Sequence, residues 1–127
     1  MNRILYIEDD KINQLIMGKY LQTLYDVTMV SSSKEAISTM EGEDFDLVLL
    51  DINLGPDELN GIELLQRFRK LPKLSDLPFM AISAYTDDED IQQLLNAGFD
   101  HFHPKPFERE RLMEQIRSIL DHSTTTN

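Results

Sequence analysis

The stretch RILYIED at residues 3–9 is the strongest indication of the fold of this chain, because an apolar run ends abruptly in acidic side chains. The pattern returns in LVLLD at residues 47–51, where Asp51 closes a second apolar run. Short runs that are apolar along their length are typical of buried parallel strands. In an open sheet covered by helices, functional groups lie just beyond the carboxyl ends of the strands. We therefore expect Glu8, Asp9 and Asp51 to meet at one edge of a parallel sheet.

Strand-like and helix-like segments alternate five times along the chain. The predicted strands cover about residues 3–7, 26–30, 45–50, 78–82 and 99–102, and the predicted helices cover about 11–24, 34–42, 61–70, 87–97 and 108–121. Such alternation predicts a parallel sheet with helices on both faces. The expected fold is α/β, a flavodoxin-like doubly wound five-stranded parallel sheet of order 2-1-3-4-5 with five helices. This order places strands 1 and 3 side by side at the switch point, where the acidic residues meet.

Length, charge and composition limit the class of protein. The 127 residues suit one domain, which we place at residues 1–121, followed by a polar tail at 122–127 that is expected to be disordered. There is no cysteine, and the net charge of −11 is the opposite of the basic surface that nucleic-acid binding demands. No apolar stretch reaches the roughly 18 residues of a membrane helix, and no signal-peptide pattern is present. A cytoplasmic protein without membrane or nucleic-acid partners is expected.

The gathered carboxylates need a positive partner. Three carboxylates at one sheet edge repel each other unless a cation joins them, and their oxygen atoms suit Mg²⁺, with Mn²⁺ as the alternative ion. Two later strand ends add a hydroxyl and an ammonium group, because Ser83 follows residues 79–82 and Lys105 follows the predicted last strand. Carboxylates, a hydroxyl and a lysine at four strand ends are the parts of a phosphoryl-transfer site.

These motifs together resemble the receiver domain of the two-component response regulators. The resemblance is carried by IEDD at 7–10, LLDINL at 49–54, SA at 83–84 and KPF at 105–107, and it runs from about residue 3 to residue 120. One such motif alone is weak evidence, whereas four in order at the expected strand ends are specific. The chain is most similar to the stand-alone, single-domain type that the chemotaxis response regulators represent.

The resemblance implies a phosphoacceptor regulator and not an enzyme that acts on an outside substrate. Asp51 would take a phosphoryl group from a histidine kinase or a histidine phosphotransfer protein, assisted by Lys105 and Ser83. The Lys105–Pro106 peptide bond is expected to be cis, as it is in the family. Output through protein–protein contacts and onward phosphorelay both stay open, as do the kinase, the signal, the target and whether the chain is part of a longer regulator.

The metal ligands implied by the resemblance are Glu8, Asp9, Asp51 and the backbone carbonyl of Asn53. A pairing of Asp9 with Asp10 stays open as an alternative. Asp10 directly precedes the first predicted helix, however, and therefore has the position of its N-cap.

The expected switch consists of Ser83 and Phe102. Since Phe102 has no hydroxyl group, the switch would work through ring packing; an ordinary core aromatic is the alternative interpretation. Tyr85, two residues beyond Ser83, is expected to cover the site and limit water access, which would make the phosphorylated state long-lived. Output through helix 4, strand 5 and helix 5 is expected, with a monomer or a weak dimer through the same face.

The first helix predicts a partner surface. At 100° per residue its core face would consist of Ile16, Met17, Tyr20, Leu21 and Leu24. Ile12 and Leu15 lie off that face, and we expect them to dock the phosphoryl donor. Scattered surface apolar residues are the alternative interpretation.

Other functions fit the sequence less well. A flavin site favours a small, uncharged phosphate loop after strand 1, whereas residues 8–11 read EDDK. A phosphatase with an aspartate nucleophile would have a second aspartate at position 53, and a scaffold without chemistry would not need the complete acidic and lysine set. His101 and His103 form a His-X-His sequence that is expected to be structural or solvent-exposed, because no further metal ligands lie nearby in the chain.

Overall fold

A computed structural model describes residues 1–52, 60–84 and 87–125, with only the backbone of residues 122–125. The strands are β1 (Arg3–Ile7), β2 (Asp26–Val30), β3 (Leu47–Asp51), β4 (Phe79–Ser83) and β5 (His101–Pro104). The helices are α1 (Lys11–Leu21), α2 (Ser33–Gly42), α3 (Gly61–Arg69), α4 (Asp88–Ala97) and α5 (Arg109–Thr125), with a short 3₁₀ turn at Pro72–Leu74. All strand pairs are parallel, and the order β2-β1-β3-β4-β5 confirms the predicted fold.

The sheet is covered on both faces, as its apolar strands require. One face packs against α1 and α5 through a cluster that includes Tyr6, Met17 and Ile116. The opposite face packs against α2, α3 and α4 through a cluster that includes Leu50 and Phe68. Successive residues of each strand point to opposite faces, so β1, β3 and β4 are buried on both sides. Their carboxyl ends therefore emerge together at one edge.

Several element boundaries differ from the prediction, and those of α1 and β5 have a clear physical reason. Helix α1 ends at Leu21, and Leu24 is 52% exposed, so its assignment to the core face was wrong. The reason is that β2 must pair with β1 from Asp26 onward, which forces the chain to turn before that residue. Strand β5 begins at His101 and not at residue 99, because the backbone N–H of Phe99 still donates to Leu94 O at the end of α4.

Helix α5 reaches Thr125 and so includes part of the segment that the sequence analysis assigned to a polar tail. The division at residue 121 stays a prediction. In the described part of the chain, none of the helices combines the length and the apolar character that crossing a bilayer requires.

Side-chain caps place two helices directly against the strand ends. Asp10 Oδ1 accepts the backbone N–H groups of Ile12 at 2.7 Å and Asn13 at 3.1 Å, which starts α1 at Lys11, three residues after Glu8. Asn60 and Glu63 form a capping box at the start of α3. Both acidic strand ends thus lie beside the first turn of a helix.

Glycine is required at Gly61 by close packing. A Cβ atom there would lie 2.9 Å from the Cα of Ile52, a distance that real Cβ atoms essentially never show. Because Gly61 has no side chain, its N–H can donate to Ile52 O at 2.9 Å. This bond holds the start of α3 against the residue that follows Asp51.

The two histidines of β5 belong to the packing between the sheet and α5. His103 is fully buried, and its Nδ1 lies 3.1 Å from Gln115 Oε1. Gln115 Nε2 donates to Phe102 O at 2.9 Å, which leaves Oε1 as the acceptor and makes Nδ1–H of His103 the donor. Burial lowers the pKa of His103 below its ordinary value, so the neutral ring is favoured. This arrangement agrees with a structural role for His103.

Candidate functional site

The carboxylates of Glu8, Asp9 and Asp51 meet at the edge where β1 and β3 end. These strands are neighbours, with Ile7 opposite Leu50, so the residues that follow them emerge side by side. One oxygen from each of the three carboxylates lies within 4.8 Å of the others. Glu8 is 0% exposed and Asp51 is 3% exposed, while Asp9 faces solvent. The site therefore combines two buried acids with one accessible acid.

Lys105 brings a positive charge to this cluster from the end of β5. Its backbone N–H donates to Ser83 O at 2.9 Å, which ties the lysine to the end of β4. Its Nζ lies 3.2 Å from Asp51 Oδ1 and 3.5 Å from Glu8 Oε1. The following peptide bond, Lys105–Pro106, is cis, as the resemblance predicts. A single ammonium group thus bridges two buried carboxylates.

The electrostatics of the site follow from this crowding. Burial, and then the hydrogen bond and charge of Asp51, raise the pKa of Glu8 above its ordinary value. Burial and the neighbouring Glu8 also raise the pKa of Asp9. Burial opposes the charge of Lys105, but the carboxylates of Asp51 and Glu8 outweigh it and raise the pKa of the lysine. Lys105 therefore stays charged, and the acids retain unrelieved mutual repulsion.

The donor set fits a hard divalent cation. Three carboxylates stand against one ammonium group, and both raised acid pKa values indicate that more positive charge would be accommodated. Carboxylate oxygens are the ligands that Mg²⁺ prefers, and Mg²⁺ retains water in its remaining positions. Asp10 instead uses its side chain to cap α1, which gives the alternative pairing of Asp9 with Asp10 no support.

Three polar residues around Glu8 were missed by the sequence analysis. Tyr6 Oη donates to Glu8 Oε1 at 3.0 Å, and Asn13 Nδ2 donates to the same oxygen at 3.0 Å. Gln14 Nε2 donates to the backbone carbonyl of Glu8 at 2.6 Å. The sequence did contain a sign of the contact between Tyr6 and Glu8. Tyr6 carries a hydroxyl group within a largely apolar strand, and it lies two residues before Glu8, on the same side of the pleat.

Ser83 and Phe102 lie on neighbouring strands near the site. Ser83 is 3% exposed at the end of β4, and Phe102 is opposite Ala81 in β5. Phe102 is half-buried and packs against the core cluster on the α2, α3 and α4 face. A cavity of about 100 Å³ lies between Ser83 and residues of α3 and α4, including Ile62 and Leu94.

The remaining predicted residues fall into two groups. Ile12 and Leu15 are 69% and 60% exposed, so they are available to a partner, although docking itself stays a prediction. Asn53 and Tyr85 lie outside the described residues, and their roles as a backbone ligand and as a cover against water also stay predictions.

Comparisons with known proteins agree on the family. A model described as the response regulator receiver domain matches residues 4–117. The transcriptional regulatory protein CpxR homolog of Haemophilus influenzae is 32% identical over 126 residues, which cover 98% of this chain and 53% of that protein. The chain spans about half the length of this and several other curated relatives that it matches.

Solved structures show the same fold. The chemotaxis response regulator CheY4 of Vibrio cholerae superposes with a TM-score of 0.87 at 23% identity, covering 94% of this chain and 99% of that one. The receiver domain of the sensor histidine kinase PA1611 of Pseudomonas aeruginosa, solved with a magnesium ion in its active site cleft, gives 0.84 at 28% identity, with coverages of 94% and 98%. With its sheet order and its acidic edge, the chain belongs to the response regulator receiver domains of two-component signalling.

Proposed function

We propose that this receiver domain accepts a phosphoryl group on Asp51 from a phosphohistidine in a histidine kinase or phosphotransfer protein. The observation that carries the proposal is the position of Lys105 Nζ, 3.2 Å from Asp51 Oδ1, beside a cluster of three carboxylates. Only one of these acids, Asp51, is both buried and paired this closely with the lysine at the end of the central strand. Its surroundings suit a nucleophile whose product is an acyl phosphate.

The proposed transfer forms one bond and breaks one bond. A carboxylate oxygen of Asp51 attacks phosphorus, and the bond from phosphorus to the donor imidazole breaks with its electron pair remaining on nitrogen. Lys105 then exchanges its contact with Asp51 for one with a phosphoryl oxygen. The hydroxyl of Ser83 donates to another phosphoryl oxygen.

Glu8, Asp9 and Asp51 would hold Mg²⁺ in this proposal, with the Asn53 carbonyl as a further ligand. When bound, the ion supplies positive charge that screens the phosphoryl oxygens. The protein residues orient the attacking carboxylate of Asp51 and keep it beside Lys105. Self-phosphorylation of this kind makes the chain a phosphoacceptor regulator and not an enzyme with an outside substrate.

The experiment that tests the proposed function uses acetyl phosphate as donor and intact mass as readout. Wild-type protein with Mg²⁺ is expected to gain the mass of one phosphoryl group, and addition of excess EDTA is expected to prevent the gain. Mn²⁺ should replace Mg²⁺. An unchanged mass under saturating donor and Mg²⁺, in protein shown to be folded by circular dichroism, would refute phosphoacceptor function.

The donor is proposed to dock on α1, on the surface formed by Ile12 and Leu15. These side chains are exposed and lie one helical turn apart, close to the acidic edge. We expect Ile12→Gln and Leu15→Gln to slow transfer from a phosphohistidine kinase while sparing transfer from acetyl phosphate. Stability should change by less than about 0.5 kcal/mol because both sites are exposed.

The matched control for this prediction is Leu24→Gln, which changes an exposed leucine just beyond the far end of α1. It should leave both donors unaffected. Equal loss with the kinase and with acetyl phosphate in Ile12→Gln would show damage to the site or the fold, and would contradict a docking role.

The output is proposed to pass through β4 and β5 to the face of α4, β5 and α5. Phosphorylation would draw Ser83 toward the phosphoryl group. The cavity beside Ser83 provides room for side chains to repack, and the ring of Phe102 is only half-buried. Such a population shift needs a few kcal/mol of differential binding. The same face is the proposed contact for a downstream protein, for an onward phosphorelay partner, or for a weak dimer.

We expect backbone amide shifts on addition of beryllium fluoride and Mg²⁺ to cluster in residues 83–107. Phe102→Ala should reduce the shifts in β5 while leaving those at the acidic edge in place. NMR spectra of the labelled protein make the measurement. Shifts confined to residues 8–10 and 51–60 would exclude this route of propagation.

A further inference from the structure

The side chain of Glu8 is held in one orientation by donors that reach it from two different elements. Its Oε1 accepts from Tyr6 Oη at 3.0 Å on β1 and from Asn13 Nδ2 at 3.0 Å on α1, and it lies 3.5 Å from Lys105 Nζ. Its Oε2 faces the backbone N–H of Asp10 at 3.4 Å, near the limit of a hydrogen bond. Of the donor groups that these contacts bring to Glu8, three therefore reach Oε1 and one reaches Oε2.

We propose that Tyr6 and Asn13 are positioning residues that set the metal affinity of the site by holding Glu8 Oε1 away from the ion and turning Oε2 toward it. This inference rests on the proposed function, because it assumes that the acidic edge binds a divalent cation during phosphorylation. Tyr6 and Asn13 would act through Glu8 and would not themselves contact the ion.

A glutamate at this position needs such support for a physical reason. Its side chain has one more rotatable bond than aspartate, so an unsupported carboxylate loses more conformational entropy when it is fixed beside an ion. Hydrogen bonds that fix a ligand in advance remove this cost, and the residues that donate them commonly change metal affinity by about 10–100-fold when they are lost. Tyr6 and Asn13 supply two such bonds to one oxygen.

The ring of Tyr6 and the backbone of Asn13 are each held in place by other contacts. Tyr6 is fully buried, and its ring packs edge-on against Phe107 with 6.4 Å between the ring centroids. The backbone of Asn13 is fixed because its N–H donates to the cap residue Asp10 at 3.1 Å.

The same bonds affect Lys105. The ammonium group lies between Glu8 and Asp51, and it is closer to Asp51, at 3.2 Å against 3.5 Å. With two donors removed from Glu8 Oε1, that oxygen would attract Lys105 more strongly. Tyr6 and Asn13 therefore also help to keep the lysine available to Asp51 and to the phosphoryl group.

The test compares Tyr6→Phe and Asn13→Ala with wild type in Mn²⁺ binding, measured by electron paramagnetic resonance of the free ion on unphosphorylated protein. Each variant is expected to raise the Kd for Mn²⁺ about 10-fold. In phosphorylation by acetyl phosphate, the half-saturating Mg²⁺ concentration should rise in parallel with the Kd for Mn²⁺. Melting temperatures recorded without metal separate this effect from a loss of stability.

Tyr25→Phe is the matched control, since it removes a phenolic hydroxyl elsewhere in the same packing layer. It should leave the Kd for Mn²⁺ unchanged. If Tyr6→Phe does not fold, Asn13→Ala decides alone, because Asn13 lies in the first turn of a helix and is only half-buried.

A Kd within twofold of wild type in the folded variants would overturn the positioning role while leaving phosphoacceptor function intact. A wild-type protein that neither binds Mn²⁺ nor accepts phosphate would overturn the proposed function, and this inference with it.

Discussion

Asp51→Asn is expected to abolish phosphoryl incorporation from every donor. The amide has the shape of the carboxylate but lacks its nucleophilic anionic oxygen, so the acyl phosphate does not form. Lys105, which lies 3.2 Å from Asp51 Oδ1, loses an ionic partner but keeps Glu8 at 3.5 Å. The variant should therefore remain folded, and intact mass after treatment with acetyl phosphate and Mg²⁺ should equal that of untreated protein.

The control for this variant is Asp44→Asn, which makes the same chemical change at an exposed position far from the acidic edge. It should accept one phosphoryl group at the wild-type rate. Labelling of Asp51→Asn at that rate would show that another residue is the acceptor, and peptide mapping would then identify it.

Asp9→Ala is expected to reduce Mg²⁺-dependent phosphorylation more than 100-fold, because it removes a direct ligand from a site with few protein oxygens. Asp9 is exposed and belongs to no strand or helix, so the melting temperature should hardly change. Glu8→Gln should weaken Mg²⁺ binding as well.

Affinity for Mg²⁺ should also fall as the pH decreases, because the raised pKa values of Glu8 and Asp9 make protons stronger competitors.

Asp10→Ala distinguishes the two possible acidic pairs. Because Asp10 caps α1, its loss should cost about 1 kcal/mol of unfolding free energy and leave phosphorylation largely intact. Calorimetry and the acetyl phosphate assay make the two measurements. If Asp10→Ala abolished Mg²⁺ binding while Glu8→Gln did not, the assignment of Glu8 to the metal would be wrong.

Much of the fold could be predicted because its signals are local. Each central strand is a run of buried side chains ended by a polar residue, and each helix has its own apolar period, so the alternation can be followed along the chain. The sheet order then follows from few allowed crossovers and from the need to bring Glu8 and Asp51 together. Both predictions were confirmed by the five-stranded sheet and its order.

The end of α1 could not be predicted in this way. The apolar period extends through Leu24, but the pairing of β2 with β1 stops the helix at Leu21 and leaves Leu24 exposed. A helical period reports which residues share a face, whereas the length of this helix depends on where the next strand forms its hydrogen bonds with β1.

The fold class and the chemical types at the strand ends can be read from the sequence, since both depend on residue identity and local periodicity. How those groups meet depends on tertiary packing. Tyr6 and Asn13 share an oxygen of Glu8, and Lys105 lies between Glu8 and Asp51, because β1, β3, β5 and α1 pack at one edge of the sheet. Burial there gives each contact its strength and raises the pKa of Glu8, and that burial depends in part on elements such as β3 and β5 that are distant from Glu8 in the chain.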